Sequence, residues 1–90
     1  MKIMAVCGNG IGSSFMMEMN IKKVLKKLNV EAEVGHTDLA SVTADDADIF
    51  VMGKDIASSA TSLPAERIII VTNLISPVEF EEKLTAYFNR

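Results

Sequence analysis

Lys2-Ile3-Met4-Ala5-Val6 has the length and apolar character of a strand, and it runs directly into Cys7-Gly8-Asn9-Gly10-Ile11-Gly12-Ser13-Ser14. From Ser13 to Leu28 the apolar residues then recur at helical spacing. A strand, a glycine-rich turn and a helix N-terminus in immediate succession leave few possible folds, because the turn must reverse the chain within a few residues. Such a turn also gathers backbone N–H groups at the positive end of a helix dipole, the usual geometry for holding a phosphate-like anion. Here the first residue of the turn is a cysteine. The donors that hold a phosphate oxygen also stabilise a sulfur anion, so Cys7 is expected to be drawn towards thiolate.

The remaining chain alternates strands and helices. On a helical wheel Met17, Ile21, Val24, Leu25 and Leu28 share one side of the first helix, the side expected to pack on a sheet. Phe15 and Met19 fall nearly opposite and Met16 at the flank, so an exposed apolar patch is expected beside the turn. Asn29 ends the helix. Residues 30–37 alternate as an edge strand with one wet face, and Asp38 is placed to cap a short helical turn over residues 39–42. Residues 48–52 read as a third strand broken by Gly53, and residues 55–61 as a short helix opened by Asp55 and followed by Pro64. Residues 67–71 read as a fourth, buried strand. Ser76-Pro77-Val78-Glu79 opens the last helix with a proline at its first position and a capping-box glutamate, and Val78, Phe80, Leu84, Tyr87 and Phe88 supply its apolar contacts. This order predicts one α/β domain over residues 1–90, an open four-stranded parallel sheet with helices on both faces. If strand 1 is central, its loop lies at the crevice where strand order reverses.

Composition narrows the function. Of the 90 residues 49% are hydrophobic, enough for a core, and the net charge of -3 comes with no basic face of the kind nucleic acid requires. Lys22, Lys23, Lys26 and Lys27 gather near the end of the first helix, where cations complement the dipole on a solvated face. The single cysteine cannot form an intramolecular disulfide, and no apolar run approaches the roughly 20 residues a membrane span needs. A soluble protein of a reducing compartment, most simply the cytoplasm, is expected. No His/Cys/Asp cluster has metal-ligand spacing, so neither a metal nor another cofactor is expected.

Several readings of the Cys7–Ser14 segment remain open on residues alone. It can be a turn with an inert cysteine. A dinucleotide loop wants G-x-G-x-x-G, whereas the glycines here are Gly8, Gly10 and Gly12, and a Walker A loop wants a lysine after its last glycine. A low-molecular-weight cysteine-dependent phosphatase carries C-x5-R-S after its first strand. Ser13 stands where that arginine belongs, and serine cannot supply its bidentate charge. A phosphoryl carrier needs the nucleophile and the cradle without catalysed attack by water, which suits the missing arginine. It also needs a docking surface, which Phe15, Met16 and Met19 can provide. A pure interaction module is a further class. His36, the single histidine, stands near the end of strand 2 as a polar strand end, a rim residue touching partners, or a phosphohistidine.

Ala5-Val6-Cys7-Gly8-Asn9-Gly10-Ile11-Gly12-Ser13-Ser14 closely resembles the active loop of the EIIB component of the sugar phosphotransferase system, ascorbate type. Asp48 with the strand after it, and Asn73-Leu74-Ile75-Ser76-Pro77, look like their counterparts in that family. The resemblance covers essentially the whole chain and implies the open four-stranded parallel sheet read above. It implies a phosphocysteine on Cys7, with the amides from Gly8 through Asn9, Gly10, Ile11, Gly12 and Ser13 to Ser14 holding the phosphoryl oxygens. It further implies a phosphohistidine EIIA as donor and, as acceptor, the substrate bound by the membrane permease EIIC. The protein would then be a cytoplasmic phosphotransferase, peripherally associated with that permease and monomeric by default.

Overall fold

The computed structural model describes residues 1–8, 13–73 and 76–89, with Ser13 and Ser14 described by their backbone. The elements are β1 (Lys2–Cys7), α1 (Ser13–Leu28), β2 (Glu33–Asp38), β3 (Ile49–Gly53), α2 (Lys54–Ala57), a 3-10 turn (Ala65–Arg67), β4 (Ile68–Val71) and α3 (Pro77–Phe88). The four strands form one parallel sheet in the order β2-β1-β3-β4. From β1 the chain moves outward to β2, then crosses back to β3 on the other side. Strand order therefore reverses at β1, and the C-terminal end of β1, where Cys7 lies, stands at that switch point.

Each face of the sheet has its own core. Ile3 and Ala5 of β1, Ile49 and Val51 of β3, and Ile69 and Val71 of β4 pack against Met17, Ile21, Val24 and Leu25 of α1 and against Phe80 and Leu84 of α3. Met4, Val6, Phe50 and Met52 face the other way, onto Val42, Ala47, Ala60 and Leu63. The apolar face predicted for α1 is the buried one. The cover of the second face differs from expectation. α2 is a single turn, and bends and turns supply the rest, with Ser59 N–H bonded to Ile56 O and Ala60 N–H to Ala57 O. The reason is local: Ser58, Ser59, Thr61 and Ser62 offer side chains that compete with helical backbone bonding.

The strand limits also follow from pairing. β2 begins at Glu33 rather than at residue 30, because β1 begins at Lys2 and offers no partner earlier; Glu33 N–H bonds to Met1 O at 2.9 Å. β4 is an edge, so its predicted burial fails at Ile70, which is exposed. Arg67 lies in the 3-10 turn before β4, at the N-terminal end of the sheet. Its guanidinium donates to the carbonyls of Ala44, Ala47 and Asp48 and lies 5.4 Å from the Phe50 ring. Asp38 caps the short turn as expected, its Oδ1 accepting Ser41 N–H at 2.8 Å and its carbonyl oxygen Val42 N–H at 3.1 Å, whereas Asp55 lies within α2, whose cap is Gly53.

Helix ends close as their sequences require. α1 stops at Asn29, which takes the left-handed conformation (φ 57°), and Val30 N–H returns to Leu25 O. α3 opens on Ser76, whose Oγ accepts Glu79 N–H, with Pro77 behind it. The capping box is half made. The Glu79 carboxylate accepts the N–H groups of Thr72 and Asn73 at 2.5 and 2.6 Å, while Ser76 N–H bonds to Asn73 O. Val78, expected in the core, is exposed, whereas Phe80 and Leu84 are fully buried and Tyr87 and Phe88 partly so. Phe80→Ala should therefore lower the unfolding free energy by about 3–5 kcal/mol, against roughly 0.5 kcal/mol or less for Val78→Ala. Urea denaturation of the two variants checks this difference.

Candidate active site

Cys7 is the last residue of β1 and is buried, beside Asp38 of β2 in the sheet register. Its carbonyl oxygen accepts Leu39 N–H at 2.9 Å, which ties the chain leaving β2 to the cysteine. A parallel strand inside a sheet presents its last residue to the loops beyond the C-terminal edge, and α1 begins only six residues on, at Ser13. The first N–H groups of α1 have no partner within the helix. Cysteine and helix N-terminus are thus brought to one end of the sheet by β1 and α1, the arrangement that the sequence predicts.

Of the predicted cradle, Asn9, Gly10, Ile11 and Gly12 lie outside the described residues, as do the side chains of Ser13 and Ser14. The backbones of Ser13 and Ser14 form the start of α1. Gly8 is described. Its φ is not in the left-handed region, and a methyl group there would meet Ile56 Cγ2 at 3.7 Å, an ordinary contact. No backbone strain therefore requires glycine at that position. Leu74 and Ile75, part of the segment that resembles the EIIB family, also lie outside the described residues.

Phe15, Met16 and Met19 are exposed, as expected, on the turns of α1 nearest the site. One element that sequence reasoning did not single out lies among them. Glu18 is almost buried, with its side chain 12% exposed, and its two oxygens are both used. Oε2 meets Lys22 Nζ at 2.7 Å and Oε1 meets His36 Nδ1 at 2.5 Å. The Lys22 ammonium and then the His36 hydrogen bond hold the Glu18 carboxyl below the usual carboxylate range, against a smaller opposing effect of burial. The Phe15 ring stands edge-on to His36, with centroids 6.0 Å apart. His36, read as a rim or strand-end residue, is therefore part of a packed group, its own side chain 43% exposed. The Glu18-to-Lys22 spacing was a visible signal; the approach of His36 was not.

On the other side of the switch point, Lys54, Asp55, Ser58 and Thr72 line an open crevice beyond β3 and β4. Thr72 and Asn73 are held there by Glu79, as described above. Among the described residues no group of His, Cys, Asp and Glu could hold a metal ion, and no helix is long and apolar enough to cross a membrane. Arg67 is committed to carbonyls at the far end of the sheet, so it cannot replace the arginine absent from the loop.

The model of the family described as PTS system, Lactose/Cellobiose specific IIB subunit, matches residues 2–86. The chain belongs to this PTS IIB family. As an EIIB component it is a phosphotransferase of the sugar phosphotransferase system. An ascorbate-specific PTS system EIIB component of Escherichia coli O157:H7 is 33% identical over 85 residues, covering 92% of this chain and 84% of that relative. The component of the same description from Salmonella paratyphi A (strain ATCC 9150 / SARB42) matches equally. The lactose-specific IIB domain from Streptococcus pneumoniae superposes with a TM-score of 0.68 at 16% identity, covering 98% of this chain and 97% of that one. A low molecular weight protein tyrosine phosphatase from Bacillus subtilis superposes at 0.65 with 13% identity, over 99% and 97%. The EIIB and phosphatase folds are one architecture, and this chain has it.

The Glu79 contacts make a pH prediction. Two backbone N–H groups lower the folded pKa of its carboxyl, Thr72 contributing most. Its contribution to stability is therefore complete above the ordinary carboxylate range and is lost as pH falls through the folded value. Glu79→Gln should be less stable than the parent at neutral pH, and the gap should narrow as the pH falls below the ordinary carboxylate range. Urea midpoints of both proteins across that range measure it.

Proposed function

We propose that Cys7 is the residue that carries the phosphoryl group through this EIIB component. The supporting observation is a buried cysteine at the end of the central strand, followed directly by the loop into α1, in whose sequence Ser13 takes the place of the phosphatase arginine. The Cys7 thiolate attacks phosphorus in line. A sulfur electron pair forms the S–P bond as the N–P bond of a phosphohistidine EIIA breaks, and the departing pair returns to the donor imidazole. The amides of Gly8, Asn9, Gly10, Ile11, Gly12, Ser13 and Ser14 hold the peripheral oxygens, and the seryl hydroxyls of Ser13 and Ser14 add donors. In the second transfer a hydroxyl oxygen of the substrate bound by EIIC forms an O–P bond as the S–P bond breaks, the electron pair returning to the Cys7 thiolate and the hydroxyl proton passing to solvent.

Without an arginine to stabilise attack by water, the phosphocysteine survives until an acceptor docks. Phe15, Met16 and Met19 form the docking patch, methionine adapting to two different partners in turn. Residues 1–90 act as one domain, cytoplasmic and recruited to the membrane by the permease. The substrate is ascorbate or a related sugar or polyol. The relatives at 33% identity, named as ascorbate-specific, support this choice over the lactose and cellobiose of the broader family description.

Incubation with phosphoenolpyruvate, the general phosphotransferase proteins and an ascorbate-type EIIA should add one phosphoryl group by intact mass, and Cys7→Ser should add none. Equal labelling of Cys7→Ser would refute the phosphocysteine. Labelling by a different EIIA alone would keep the mechanism and discard ascorbate. Turnover of a small aryl phosphate should be negligible; rapid turnover would favour the phosphatase instead.

A further inference from the structure

The apolar residues that anchor α1 to the sheet begin at Met17. Ahead of it Phe15 and Met16 are exposed, so neither is anchored in the core. The first turn of α1 carries the N–H groups that have no partner within the helix. Its covalent link to Cys7 is the loop, but a second connection runs through β2. Cys7 O accepts Leu39 N–H, Cys7 lies beside Asp38, and His36 follows two residues back on the same strand. His36 Nδ1 meets Glu18 Oε1 at 2.5 Å, and the Phe15 ring closes edge-on against the imidazole. Both contacts reach α1 within residues 13–18.

Resting on the reading of Cys7 as phosphoryl carrier, we propose that Glu18 and His36 are a positioning pair, setting the first turn of α1 at a fixed distance from the Cys7 sulfur so that its N–H groups meet the transferred oxygens. Side-chain chemistry fits this use. Glu18 has little water, and each of its oxygens is taken by a different donor, so its rotamer is set. His36 is held at one ring nitrogen and across one ring face, which fixes it in turn. The second donor, Lys22, sits on α1 itself and restrains Glu18 without tying the helix to β2. Of the two partners of Glu18, His36 makes that tie. A displacement of about 1 Å in such a cradle is enough to slow transfer by one to two powers of ten.

His36→Leu removes the tie, while His36→Gln retains an N–H donor able to reach Glu18; Glu18→Gln provides an independent variant should His36→Leu fold poorly. Each is mixed with a purified phosphohistidine EIIA, and phosphocysteine formation is followed by rapid quench over a range of donor concentrations. His36→Leu should lower the rate at saturating donor about tenfold with the donor KM within about twofold, and His36→Gln should recover most of it. Glu18→Gln, which keeps an acceptor for the imidazole but loses the charge, should fall between. Thermal unfolding of the same samples separates the effect from loss of fold. An unchanged saturating rate in folded His36→Leu would overturn the proposal. So would a raised KM at unchanged saturating rate, which would make His36 a partner contact instead. A parent protein that takes no phosphoryl group from any EIIA would bring down the carrier reading itself, a result distinguishable from either.

Discussion

β1 must be satisfied on all sides at once. Its residues are apolar on both faces and its backbone needs hydrogen bonds along both edges, so it can sit only between two strands and beneath two layers of cover. Everything that matters at the site follows from that. β2 and β3 take opposite edges, the connections must leave in opposite directions, and the loop after β1 opens at the point where they part. A cysteine in the last position of such a strand is buried in its own sheet yet meets the loops beyond it. The same residue on an edge strand would have neither property.

The site end of the molecule is organised around anions and the N–H groups that receive them. Glu79 already occupies one pair of such groups, at Thr72 and Asn73, and by doing so fixes the exit of β4 against the start of α3. Glu18 occupies another kind of place, a nearly buried carboxylate between a lysine and a histidine. Neither is available to a transferred phosphoryl group. The start of α1 lies six residues beyond Cys7 in the chain. Among the described residues the arginine, Arg67, is spent at the opposite end of the sheet on the carbonyls of the chain entering β3. In the proposed reading, shared fold and divergent chemistry are reconciled by one position, Ser13.

Much of this was legible in the residues. The β-α-β opening, the face of α1 that packs, the exposure of Phe15, Met16 and Met19, the left-handed end at Asn29 and the proline start of α3 are all matters of local pattern, and local pattern is written in sequence. Expectations failed where the outcome depended on a distant partner. β2 starts late because β1 does. Ile70 is exposed because β4 has no further strand and its cover ends. Val78 misses the core by its angle on α3, and Glu79 leaves its capping box because two N–H groups of the preceding loop lie closer.

The sequence by itself determined the class of fold, the cysteine that leads a glycine-rich turn, and the absence of an arginine from that turn. These depend on residue type, periodicity and spacing, which the chain carries wherever it goes. Only the tertiary structure decided that β1 is flanked by β2 and β3, that Arg67 faces away from the site, and that Glu18 meets His36. The last two are contacts between residues 18 or more positions apart, and no periodicity connects residues that meet only after two strands and a helix have packed.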